Sequence, residues 1–244
     1  MLAIAGRGND RGMIVTTFAS GRLAPCFPLT EPLWAAWCKS HGFEWRPGEA
    51  SHIGRWAQWY KMQHVLDLLR HGEAVLWVDA DSFPRPRSPS PLNEEECQGE
   101  VLGIPINNPC PHAVEMMAGL FWVTVDAAPM LEDAINRPKQ GIRGWPEQRS
   151  MAEACGLRQR GMRFEPPASW RKLRYPVKPL SMRWVTPIGH GIHGAPAQKK
   201  DAATVRRDAL VWHAIGSASF KPALIRQAIT LGLHANPEHP PEFP

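Results

Sequence analysis

With 244 residues, 43% of them hydrophobic and 21% charged, the chain has ordinary globular usage and enough length for one large α/β domain. Its five cysteines, Cys26, Cys38, Cys97, Cys110 and Cys155, are odd in number and not closely paired, so neither a disulfide framework nor a zinc knuckle is suggested. No run of about 18 apolar residues occurs, so no membrane span is predicted and a cytoplasmic location is expected. A formal net charge of +5 predicts attraction to anionic partners without separating phosphates, nucleic acid and lipid surfaces.

Residues 1–12, glycine-rich from Gly6 to Gly12, read as a flexible leader. Residues 13–19 are a β-branched run closed by Ser20-Gly21 and predict a first buried strand whose end is a candidate ligand site. From Thr30 to His41 the apolar spacing is helical, with Thr30 as the expected N-cap and Gly42 as the terminator. Phe43-Glu44-Trp45 follows as a short strand. A helix over 55–70 presents Trp59, Met62, Leu66 and Leu69 on one face. Lys61 lies on the neighbouring stripe with Val65 and Leu68, where a lysine either snorkels to water or aims at an anion.

The apolar strand 74–78 then runs straight into Asp79-Ala80-Asp81. Alternation of strand and helix up to this point predicts a parallel sheet, and in such sheets ligands bind beyond the carboxyl ends of the strands. Two carboxylates one residue apart at that place suit Mg²⁺ or Mn²⁺ carrying a diphosphate, although acidic pairs also decorate ordinary turns.

The proline-rich segment 84–91 must leave the sheet as an extended loop. Val101–Ile104 and Gly119–Val125 read as strands, and a helix from Ala127 to Ile135 carries Pro129 in its first turn. Trp145-Pro146-Glu147-Gln148 opens another helix. Residues 176–196, with His190 and His193, read as a glycine- and proline-rich loop, and 209–212 as a last apolar strand ending in His213. Residues 1–235 are expected to form a single domain and 236–244, with four prolines, a disordered tail. No Walker loop is present, nor a G-x-G-x-x-G after the first strand, which argues against a Rossmann dehydrogenase.

Asp79, Asp81 and His213, from two separate strand ends, can hold one divalent ion and leave positions open for phosphate oxygens. Gly216 and Lys221 follow, one allowing close backbone approach and the other offering an ammonium. This ordered set resembles the nucleotide-sugar glycosyltransferases of the GT-A fold, most of all the galactosyl/mannosyltransferase and glycogenin-like types. The resemblance spans residues 13–222. It rests on Ile14 to Phe18, His41-Gly42-Phe43-Glu44, Lys61, Val75 to Asp81, Met117 to Phe121, Trp145 to Gln148, and His213 to Gly216 followed by Lys221-Pro222. Met117 departs from the pattern, which has asparagine there, and the gap from Gly216 to Lys221 is longer than in the glycogenin-like type.

The resemblance implies an α/β fold with a Rossmann-like, mostly parallel central sheet and helices on both faces. It implies transfer of a hexose from a nucleoside diphosphate sugar, a UDP-sugar above others, to an acceptor hydroxyl. Thr16, Thr17, Phe18, Lys61, Asp79, Ala80, Gly119, Gly216 and Lys221 are expected on the donor, and Asp79, Asp81 and His213 on Mn²⁺ or Mg²⁺. Glu147 and Gln148 face the reacting sugar, Glu147 as a base or as a stabiliser of the oxocarbenium-like state, against the alternative of helix N-terminal charge. The basic balance admits DNA as the acceptor, through a hydroxymethylated base. A metal-dependent nuclease or phosphodiesterase, and a non-catalytic nucleic-acid-binding protein, are the readings from other classes.

Overall fold

The structure is a computed structural model and describes residues 13–49, 57–85, 87–91, 99–137, 146–161, 163–188, 209–214, 219 and 221–230. The expected leader, the proline-rich tail, Trp145, His190, His193 and Gly216 lie outside them.

The first strand, β1 (Ile14–Thr16), pairs in parallel with β2 (Glu44–Trp45) and with β3 (Val75–Val78). Against β3 runs the antiparallel β7 (Leu120–Val123), and against β7 runs β5 (Leu102–Cys110). β10 (Val177–Leu180) pairs in parallel with β5, while β6 (Ala113–Met116), β9 (Arg163–Phe164) and β8 (Gln159–Arg160) extend the nine-stranded sheet. Six of these strands, β1, β2, β3, β5, β9 and β10, point one way and three, β6, β7 and β8, oppose them. The carboxyl ends of β1, β3, β5 and β10 therefore share one edge.

Side-chain alternation along the strands divides the core in two. Ile14, Val75, Trp77, Phe121 and Val123 face one side, where α2 (Ala57–Arg70), α3 (Ala128–Asn136) and α4 (Pro146–Ala154) cover them. Val15, Leu76, Val78, Leu120 and Trp122 face the other, under Trp34 and Trp37 of α1 (Phe27–His41). Helices thus lie on both faces. A second sheet of β4 (Ser82–Pro84), β12 (Val211–Ala214) and β11 (Thr186–Ile188) forms a third cluster with α5 (Lys221–Thr230), around Phe83, Trp212 and Ile225.

Several expectations change. Thr30 is not the N-cap of α1: the helix begins three residues earlier, after a 3-10 turn over Gly21–Cys26, and Thr30 Oγ1 is buried and donates to Ala80 O at 2.8 Å. Proline at the first turn lets the helix start there, and Gly42 ends it as expected, at φ 69°. Segment 84–91 leaves the main sheet, but its first residue, Pro84, is the last of β4. The expected loop 176–196 contains β10 and β11, both edge strands, where Pro179 and Pro187 are tolerated. The last strand runs over 211–214 and carries His213 inside it, not after it.

β6 and β7 lie along the same side of β5, but the register slips by three residues between Gly103↔Trp122 and Ile106↔Met116. Met117-Ala118-Gly119 is the extra chain, a bulge that kinks the strand at the sheet edge. Its carbonyls turn toward β3 and α2. Beneath it Gly103 passes the Trp122 indole so closely that a Cβ would come within 1.9 Å of Nε1. Trp122 is fully buried and has no room to retreat. Gly103→Ala is expected to cost roughly 1–3 kcal/mol from overpacking, read as a melting-point fall of about 2–4 °C per kcal/mol.

Candidate active site

The Asp79-Ala80-Asp81 segment is a tight turn whose three carbonyls all accept hydrogen bonds. Asp79 N donates to Gly119 O at 2.8 Å, and Asp79 O accepts from Ser82 N at 3.0 Å and from Ser82 Oγ at 2.7 Å. Ala80 O accepts from Thr30 Oγ1, and Asp81 O accepts from Ala214 N at 2.9 Å. The turn is thus clamped between the bulge, α1 and β12, and the two carboxylates it carries are aimed to different sides.

Asp79 continues the alternation of Val75 and Trp77 and looks toward α2. Its Oδ1 accepts from Lys61 Nζ at 2.9 Å and from Trp77 Nε1 at 2.8 Å. Lys61 also donates to Ala118 O at 2.9 Å, lies 5.3 Å over the Trp77 ring and reaches Glu147 Oε1 at 3.9 Å. Of the two readings of this lysine, the one aimed inward is the observed one: it is only 5% exposed. Burial works against its charge, but Asp79 and then Glu147 outweigh that and raise its pKa.

Asp81 looks to the second sheet, 1% exposed. His213 Nε2 lies 3.1 Å from its Oδ1, and Lys221, the first residue of α5, donates to Oδ2. Burial would raise the Asp81 carboxyl, yet His213 and Lys221 together hold it well below the usual carboxylate range. His213 is moved up in turn, Asp81 outweighing the effect of burial. Register explains the meeting: His213 is paired with Ser82, so the strand that follows the turn brings the imidazole back beside it.

Asp79 Oδ2 is 3.9 Å from His213 Nε2, and one donor atom from each of Asp79, Asp81 and His213 falls within 4.8 Å of the others. Two carboxylate oxygens and an imidazole nitrogen are a donor set that fits a divalent cation. Gly119 leaves the space clear: a Cβ there would meet the His213 ring at 3.0 Å and Asp79 Oδ2 at 3.4 Å.

Glu147, on the first turn of α4, is 3% exposed and its Oε2 has no hydrogen-bond partner. Burial raises its pKa, Lys61 opposing. Gln148 beside it is half-buried. Around the end of β1, Thr16 Oγ1 donates to Arg46 O at 2.6 Å and meets His64 Nε2 at 2.9 Å. Thr17 Oγ1 is buried without a partner, and Phe18 packs edge-on against Tyr60 and Trp77. His64, its pKa lowered by burial, was not foreseen here; its only sequence signal is helical spacing from Lys61, on the same side of α2. Ala80 contributes its backbone alone.

Cys26, Cys38 and Cys155 are buried and lie outside the Asp79, Asp81 and His213 cluster. Burial pushes Cys26 up to about 11 and Cys38 and Cys155 up to about 12, so all three stay thiols and serve as core. Three arginines of the second half of the chain pair with acids: Arg163 with Glu115 at 2.7 Å, Arg171 with Glu100 at 2.8 Å and Arg174 with Asp133 at 2.9 Å. Among the described residues no helix is long and apolar enough to cross a membrane.

No family model and no curated protein matches the sequence. Solved structures do match the fold. A glycosyltransferase involved in the glycosylation of the major capsid of PBCV-1 superposes with a TM-score of 0.61 at 12% identity, covering 88% of this chain and 99% of that one. The bifunctional glycosyltransferase WbbM matches with a TM-score of 0.58 at 10% identity, over 86% of this chain and 46% of its own. The glycosyltransferase GlyE of Streptococcus pneumoniae matches at 0.50 and 8% identity, over 94% and 66%. The chain therefore spans nearly all of the first protein and less than two thirds of the other two. Its fold is the α/β fold of these glycosyltransferases, of the GT-A type that the sequence motifs resemble.

Proposed function

We propose that this protein is a metal-dependent glycosyltransferase that moves a hexose from a nucleoside diphosphate sugar, a UDP-sugar above others, to an acceptor hydroxyl. The observation that carries the reading is the Asp79, Asp81 and His213 cluster, held within 4.8 Å on a fold shared with glycosyltransferases. Lys61 and Lys221 flank it from opposite sides.

Asp79, Asp81 and His213 would hold Mn²⁺ or Mg²⁺, which when bound neutralises charge on the diphosphate. Lys221 offers an ammonium at the same place, and Gly216, assigned from the sequence, allows the backbone to approach the phosphates. Thr16, Thr17 and Phe18 end the strand beside β3, and the unpartnered Thr17 hydroxyl and the Phe18 ring suit a nucleoside. Gly119 and Ala80 belong to the donor site by leaving room. Lys61 orients Asp79 and Glu147 together; it is a positioning residue.

In the transfer the bond from the anomeric carbon to the diphosphate oxygen breaks, and its electron pair leaves with the diphosphate. The acceptor hydroxyl oxygen bonds to the same carbon and gives up its proton. Glu147, with Gln148 beside it, is assigned to the reacting sugar. Its free carboxylate oxygen is the acceptor for that proton or the counter-charge to the developing cation. Burial that raises the Glu147 pKa makes it the better base.

Thermal-shift titration with a panel of nucleotide sugars, with and without Mn²⁺, tests the reading. One nucleoside diphosphate sugar with Mn²⁺ at about 100 times its Kd should stabilise the fold by roughly 2.7 kcal/mol, a rise of about 5–10 °C. No shift with any member of the panel would refute the proposal. Asp81→Asn is expected to abolish the Mn²⁺-dependent part of the shift, and Gly119→Ala to weaken it by crowding His213. Glu147→Gln should keep the shift and lower the transfer rate by about 10²–10⁴, measured as release of nucleoside diphosphate.

A further inference from the structure

We propose that the cavity beyond the carboxyl ends of β5 and β10 is the acceptor site of this enzyme and that it takes a neutral carbohydrate. The inference rests on the glycosyltransferase reading and adds to it the class of the second substrate.

Position is the first argument. Leu180, at the end of β10, pairs with Pro105 of β5, whose carbonyl accepts from Met117 N at 2.9 Å. Two residues on, Gly119 O accepts from Asp79 N. Ile106 and Leu180 line the cavity, so its wall starts at the level of the metal-type cluster and on the same sheet edge. β5 stands two strands from β3, a lateral distance of roughly 10 Å. The Met117-Ala118-Gly119 bulge joins the two places, Met117 N on Pro105 O at one end and Gly119 O on Asp79 N at the other.

Chemistry is the second. The cavity measures about 720 Å³, within the usual range for small-molecule sites. Trp170, Pro111, Pro166 and Pro179 contribute flat apolar surface, which suits the C–H face of a pyranose ring. The Asn108 amide and the Ser181 hydroxyl supply hydrogen-bonding groups for sugar hydroxyls, and Ser181 also accepts from Arg183 N at 3.3 Å. No lining residue is charged. A nucleic acid or a phosphorylated acceptor would require lysines or arginines there. Arg171, next to Trp170 in sequence, is already engaged by the buried Glu100.

The saccharide hydroxyl is then the nucleophile of the transfer described above, with the same bonds made and broken. The test is saturation-transfer NMR of the full chain with methyl hexosides, lactose, maltose and cellobiose, and with a short DNA duplex at low salt. Donor and Mn²⁺ thermal shifts are recorded in parallel on every variant. At least one saccharide is expected to bind. Trp170→Ala should weaken it about threefold to tenfold and Trp170→Phe much less, both with an unchanged donor shift. Asn108→Leu, at an exposed position that folding does not depend on, should also weaken the saccharide alone. A normal donor shift with no saccharide bound, or with binding indifferent to Trp170 and Asn108, would overturn the acceptor site and leave the glycosyltransferase standing. Duplex DNA bound in a manner sensitive to Trp170 would overturn it equally. Loss of the donor shift in the unaltered protein would remove both readings.

Discussion

Burying several charges within one turn of chain is the constraint around which this molecule is arranged. Asp81 is almost fully inaccessible, Lys61 and Glu147 nearly so, and an isolated ion at such depth costs several kcal/mol. Each is tolerated because another element delivers its counterpart: α2 brings Lys61 to Asp79, α5 brings Lys221 to Asp81, and β12 brings His213 between them. The pairing has a directional consequence. With one residue between them, the two aspartates are held by opposite halves of the fold, and with His213 they form a donor set that could hold a cation.

The same constraint explains local features that would otherwise look incidental. The bulge before β7 turns the Ala118 carbonyl onto Lys61, which gives the buried lysine a second hydrogen-bond acceptor beside Asp79. Glycine at 119 keeps the imidazole and Asp79 from colliding with the bulge. Thr30 gives up capping its helix to hold the Ala80 carbonyl, so α1 is docked directly onto the turn. Trp34 and Trp37 do likewise with their indole N–H groups on Ser82 and Ser88. These tryptophans are core residues that also fix the backbone leaving the site.

One group in the network stays incomplete. Glu147 has one oxygen near Lys61 and the other buried with no partner, although it sits at the start of a helix whose N-terminus favours negative charge. Both readings of this residue are therefore present in the geometry, since helix-end stabilisation accounts for its position and the free oxygen for a role toward a ligand. Unsatisfied buried polar atoms are few in folded proteins, and a catalytic role is one of the reasons for which they persist.

The sequence alone determined the order of the early elements, because strands 14–16 and 75–78 are bounded apolar runs and α2 has unbroken helical spacing. It also determined the pairing of Asp79 and Asp81 with His213, through ordered motifs and not through any local rule. What it could not supply was anything made by contacts between distant residues. β8, β9 and β11 are two or three residues long and exist only because neighbours align them. β10 looks like loop, since Pro176 before it and Pro179 within it hide a strand that exists only by pairing at the sheet edge. The inward turn of Lys61 depends on a carbonyl 57 residues away. The cavity beside the bulge is assembled from three separate stretches of chain, 106–114, 166–170 and 179–182, none of which carries a signal by itself. Periodicity and composition act over one helix or strand, whereas burial, register and the meeting of charges are properties of the packed whole.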